Sequence, residues 1–142
     1  MKKISLLLLT LILVSCGATS TKTIVNRPLF EVLTQQPNGG ASIRFFEILT
    51  ESNEIKMLQN DEKLKNKIKP DDIKASNFVI LNMGEQPTSG FKIGIESIVE
   101  NDKNIIITVK ENSPEPNAMV NQVISNPYCV VRINSKKEII IK

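Results

Sequence analysis

The chain has 142 residues, 41% of them apolar, with 18 lysines and arginines against 15 aspartates and glutamates and no histidine, a length and composition that fit one folded domain around a single core. Two of the basic residues, Lys2 and Lys3, belong to an apparent export signal, which leaves 16 basic against 15 acidic groups; with so little excess charge and few aromatic rings, the rest lacks the electrostatic footprint of a nucleic-acid binder. Without histidine there is no Ser-His or Cys-His pair, and no nucleophile elbow or glycine-rich phosphate loop occurs, so no catalytic residue is assigned and the chain is read as a non-enzyme.

Residues 1–15 read as a signal peptide. Lys2 and Lys3 precede the apolar run Leu6 to Val14, which falls short of the roughly 20 residues that a membrane-spanning helix needs. The run closes on Leu13-Val14-Ser15-Cys16, a lipobox, so cleavage is expected before Cys16 and lipid attachment on its sulfur. Gly17 in place of an Asp retention signal points to the outer membrane in a double-membraned cell. Gly17 to Thr23 is a small-polar stretch too poor in apolar side chains to fold, so residues 16–29 read as a flexible tether to that membrane, and residues 30–142 as the folded domain. With Cys16 carrying lipid, Cys129 has no disulfide partner; its apolar neighbours Tyr128 to Val131 predict a buried, inert thiol.

Phe30 to Thr34 and Ser42 to Leu49 are extended runs flanking Gln35-Gln36-Pro37-Asn38-Gly39-Gly40, which predicts a hairpin. Thr50 to Asn53 offer capping side chains for one surface helix running towards Lys67, with a weak point at Asn60-Asp61 and Pro70 as its stop. Asp71-Asp72 reads as a solvated turn, so neither a metal site nor a cofactor is expected. Phe78 to Leu81 is apolar on both sides, as in a central strand covered on both faces. Phe91, Ile93 and Ile95, then Ile105, Ile107 and Val109, alternate with their neighbours and predict two half-buried strands joined by the polar turn Glu100 to Asn104. Tyr128 to Ile133 and Glu138 to Ile141 read as a last hairpin. The sum is a mainly β fold, an antiparallel β-sandwich or partly open barrel with one surface helix; an α+β layer arrangement is the alternative.

Three loops carry unusual backbone constraint: Gly84 to Gly90, Ser113 to Pro116, and Ser125 to Pro127. Proline fixes φ and glycine permits positive φ, so such loops lose little ordering entropy on binding. The candidate partner-binding residues are Gln86, Pro87, Thr88, Ser89, Gly90, Phe91, Pro114, Pro116, Pro127 and Tyr128. Phe91 is also explained as a core residue by its alternation with Ile93.

The order Phe78-Val79-Ile80-Leu81-Asn82-Met83-Gly84-Glu85-Gln86-Pro87-Thr88-Ser89-Gly90-Phe91-Lys92-Ile93, then Pro114-Glu115-Pro116, then Ser125-Asn126-Pro127-Tyr128-Cys129-Val130-Val131, resembles the C-terminal domain of the protease complex subunit PrcB family. Its pattern runs strand, Gly-x-x-Pro-Ser/Thr-Gly-Gly-Tyr, strand, hairpin, Pro-x-Pro, then Pro-Tyr opening a late strand. Here Ser89 stands for the first of the paired glycines, and Phe91 replaces Tyr. The resemblance implies a non-catalytic partner of an exported protease, assisting its assembly or stability at the envelope. The run Pro87-Thr88-Ser89-Gly90-Phe91 is also similar to the binding loop of chagasin-type protease inhibitors, which leaves direct inhibition as one alternative. A structural envelope lipoprotein without a protease partner is another.

Overall fold

The computed structural model describes residues 27–142, so the signal segment, Cys16 and most of the tether lie outside the described residues. Within them the order is β1 (Phe30–Gln36), β2 (Phe45–Leu49), α1 (Ser52–Leu58), α2 (Pro70–Ala75), β3 (Asn77–Asn82), β4 (Lys92–Glu100), β5 (Asn104–Asn112), β6 (Tyr128–Ile133) and β7 (Glu138–Ile141). One antiparallel sheet has the strand order β1-β6-β3-β2, and a second has β4-β5-β7. The two sheets pack face to face without closing into a barrel, the β-rich sandwich that the strand pattern predicts.

Period-two alternation sorts the side chains of the four-stranded sheet onto two faces. Val79 and Leu81 of β3 and Cys129, Val131 and Ile133 of β6 meet Ile93, Ile105, Ile107 and Ile139 of the second sheet in one buried cluster. Their strand neighbours Phe78 and Val130 face the other way, against Ile55, Leu64, Ile68 and Ile73 of the helical segment. Two apolar clusters thus replace the single core expected from chain length, because the four-stranded sheet is the middle of three layers. At about 1.5–3 kcal/mol for each fully buried Leu, Ile or Phe, both clusters are major terms in stability.

The β4–β5 hairpin forms as its alternation predicts. The side-chain oxygen of Asn101 accepts the amides of Lys103 (2.9 Å) and Asn104 (2.7 Å), closing the turn. Two other pairings differ from expectation. β1 and β2 are opposite edges of one sheet instead of a hairpin, because β6 and β3, apolar on both faces, occupy the doubly covered centre and leave the edges to strands with one wet face. β7 does not fold back on β6 but crosses to the other sheet, where it runs parallel to β5 from Asn104↔Glu138 to Ile107↔Ile141. Its alternating Ile139 thereby reaches the inter-sheet cluster.

The helical segment is two short helices where one was expected. The Glu54 carboxylate caps α1 by accepting the amides of Glu51 (3.2 Å) and Thr50 (3.3 Å). Past the weak point, Asp61 turns the chain by accepting the Lys63 amide at 2.7 Å. Pro70, expected to stop a helix, begins α2, where its missing N–H costs nothing.

Asp72 departs furthest from the solvated turn expected of it, for it is 0% exposed. Its carboxylate accepts Arg132 (2.8 Å), Arg27 (2.9 Å) and the Lys69 amide (2.9 Å), and Arg132 reaches on to Glu31. A carboxylate stripped of water needs such partners, and they come from strands and termini that α2 covers. Arg27 is therefore already fastened to the domain, and the Leu29 carbonyl accepts the Asn134 amide at 2.8 Å, so the ordered fold includes residues just ahead of Phe30.

Candidate functional site

The strand registers place Gln36, Tyr128, Asn82 and Phe45 side by side at one end of the four-stranded sheet. Three connections gather there: 37–44 between β1 and β2, 83–91 between β3 and β4, and 113–127 between β5 and β6. Arg27, the β4–β5 turn and the β6–β7 connection are at the opposite end.

The buried side chain of Asn82 organises the first connection. Its amide donates to the carbonyls of Ala41 (2.9 Å) and Ile43 (2.6 Å), and its oxygen accepts the Ala41 amide (3.0 Å). The same connection meets the other two through Glu85 N–H to Ser42 O (3.0 Å) and Gly40 N–H to Asn126 O (2.9 Å). Gly84 permits this approach: its φ is +79° and a Cβ there would lie 2.8 Å from the Arg44 amide nitrogen.

The second and third connections clasp each other. Gln86 N–H donates to Ser125 O (2.8 Å), and Ser125 N–H returns a bond to Gln86 O (3.0 Å). Ser125 Oγ donates to Thr88 O at 2.7 Å. Ser89 N–H donates to Asn121 O (3.0 Å), and Asn121 N–H to Ser89 Oγ (2.9 Å). Asn121 and Ser125 are thus both pinned, and Gln122-Val123-Ile124 forms a short arch between them. Val123 and Ile124 stand 54% and 62% exposed on this arch, and Met119 beside it is wholly exposed. A fixed backbone that holds three apolar side chains in water is a preorganised contact surface, because little freedom remains to be lost on binding.

The ten candidate contact residues fall into distinct places. Pro87 is exposed at the tip of the second connection, with Gln86, Thr88 and Ser89 half-buried in the clasp. Ser89 does not need positive φ, which here belongs to Gly90 at +94°; its hydroxyl instead supplies a clasp bond that glycine could not. Gly90 lies against Pro114, whose Cβ would be 3.0 Å from a Cβ at position 90. Pro116 is exposed in a turn closed by Ala118 N–H to Glu115 O at 2.9 Å. Phe91 packs against the inter-sheet cluster. Pro127 is buried, its carbonyl accepting the Met83 amide at 3.0 Å. Tyr128 is half-buried beneath the first connection on the helix-covered face, where it lines a cleft of about 190 Å³ with Phe45, Leu58 and Ile80. The sequence reading missed Met119, Val123 and Ile124, since three apolar residues without periodicity in a loop carry no signal until their exposure is known.

Cys129 is fully buried between the sheets, and desolvation pushes its thiol up to about 11. It is neutral at physiological pH and out of reach of solutes, which makes it packing material.

No curated protein and no solved structure matches the chain. The family described as PrcB C-terminal matches residues 77–134, from the first residue of β3 to the residue after β6. That interval holds both halves of the clasp and the arch between them, so the similarity to the PrcB C-terminal family covers the segment that carries the candidate site.

Proposed function

We propose that the protein is a lipid-anchored, non-catalytic accessory subunit of an exported protease complex, and that the rim of loops at the far end of its sandwich binds the protease. The family match supports association with a protease complex. Lipid on Cys16 of the lipobox would hold the chain at the envelope, on the outer membrane of a double-membraned cell. The observation that carries the binding role is the clasped arch, with exposed Val123 and Ile124 next to exposed Pro87. Burying the exposed halves of two such side chains in a partner is worth roughly 2–3 kcal/mol, a large share of an otherwise polar contact. The chain enters the domain at Arg27, at the end opposite the rim, so an anchored molecule presents its rim away from the attachment point.

Co-purification from detergent-solubilised envelopes tests this reading. Wild type is expected to retain a protease identified by mass spectrometry, and Val123→Asp with Ile124→Asp, or Thr88→Arg with Ser89→Arg, to lose it. An unchanged partner set in both double variants would overturn the proposed surface. Direct inhibition, the alternative drawn from the Pro87 to Phe91 run, would instead show as slowed proteolysis when purified protein is added to a papain-like or serine protease.

A further inference from the structure

A second concave site lies at the opposite end of the molecule, where a cleft of about 400 Å³ is lined by Arg27, Lys67, Lys69 and Arg132 together with Glu31 and Asp72. Four cations therefore face two carboxylates. Both carboxylates are spoken for: Asp72 pairs with Arg27 and Arg132, and Glu31 with Arg132. Neither Lys67 nor Lys69 has a carboxylate within ion-pair reach among the described residues. Lys67 spends a hydrogen bond on the Leu33 carbonyl, which holds the ammonium in place without neutralising it. The guanidinium of Arg132 is fixed by its two acidic partners and by the Lys67 carbonyl at 3.4 Å. The cleft thus has two units of positive charge left over, on lysines that remain open to solvent beside the fixed Arg132 guanidinium.

We infer that this cleft binds a phosphoryl group, the two uncompensated lysines matching the charge of a phosphate and Arg27 supplying its unused N–H donors. Arg27 and Pro28 line the cleft, so it sits where the chain enters the domain. If Cys16 carries lipid, as proposed above, this end faces the bilayer and a phospholipid headgroup is one source of the phosphoryl group; a free phosphorylated solute is the other.

The test uses the full chain, purified from envelopes in maltoside detergent and titrated with inorganic phosphate while backbone amide shifts are followed by NMR. Saturable shifts are expected at residues 66–69 and at Asn134. Lys69→Gln, a surface change that breaks no ion pair, should weaken binding about threefold to tenfold, whereas Lys136→Gln, outside the cleft, should not change it. Shifts that do not saturate, or equal weakening by the two substitutions, would overturn the proposal. Repeating the titration in nanodiscs separates the sources. A higher apparent Kd for phosphate in net-neutral phosphatidylcholine nanodiscs than in phosphate-free maltoside micelles means that headgroups occupy the cleft, and equal values mean a soluble ligand. Because the phosphate titration in detergent does not depend on lipidation, its failure would overturn the cleft as a phosphoryl site without bearing on the anchoring.

Discussion

At the end of the sandwich where Arg27 enters, the chain is fastened by charged side chains meeting across long sequence distances, with Asp72 buried among Arg27, Arg132 and the Lys69 amide. At the other end the connections are fastened mainly by backbone groups, paired directly or through the side chains of Asn82, Ser89 and Ser125. The two solutions leave different surfaces. Charges turned inward at the first end make a polar cleft, while backbone groups satisfied inside the loops at the second free its apolar side chains to face water. A domain that must hold on at one end and offer a contact at the other has reason to divide its interactions in this way.

The comparison breaks most readily at Asp72. Asp72→Ala leaves the Arg132 guanidinium, already lacking a partner for its Nε among the described residues, without its buried counter-charge. Stripping one partner from a buried pair typically costs about 3–5 kcal/mol. Urea denaturation should therefore show a loss of that order, and adding Arg132→Met should recover part of it. A loss under about 1 kcal/mol would mean that the helical layer does not depend on this network.

Asn82→Ala probes the other end and should cost less, about 2–3 kcal/mol, because it unpairs the amide of Ala41 and the carbonyl of Ile43 and leaves the Ala41 carbonyl only the Asn126 amide at 3.5 Å, all close enough to the surface for water to compensate in part. Hydrogen exchange distinguishes this local release from global weakening. Faster exchange confined to residues 38–44 is expected, with strand amides of β3 and β6 slowed as in the wild type after correction for the change in global stability. Uniform acceleration would show that the rim and the sheet open together, and would remove the distinction between the two ends.

Which parts of this were legible in the sequence follows from how local their causes are. The β4–β5 hairpin was readable because its alternation and its Asn101 turn lie within one stretch of chain. The central position of β3 was readable because Phe78 to Leu81 is apolar on both faces. The β1–β2 pairing was misread because Pro37, Asn38 and the glycines after them signal a change of direction equally for a hairpin and for an arch between opposite sheet edges; the choice is made by β6, far along the chain. β7 misled for the same reason, since four residues after a polar turn do not reveal which sheet has room for them. Asp72 looked like half of a solvated acidic pair, as its partner Arg132 is 60 positions away. In the rim, prolines and glycines announced the second connection, whereas the arch gave no sign because its anchors, Asn121 and Ser125, acquire meaning only when Ser89 and Gln86 lie against them.

The smallest stability effect is expected where the binding effect is expected to be largest. Val123 and Ile124 are more than half exposed, so Val123→Ser and Ile124→Ser remove only a minor part of their buried surface and should each shift unfolding free energy by less than about 1 kcal/mol. The arch backbone is held by bonds at Asn121 and Ser125 that neither substitution touches, so the rim should keep its shape while losing its apolar contact. Measured by urea denaturation beside Asp72→Ala and Asn82→Ala, these two variants complete a graded series from the charged end to the exposed arch. A loss above about 1 kcal/mol at either position would show that these side chains support the fold, and the case for their being held outward for a partner would fall with it.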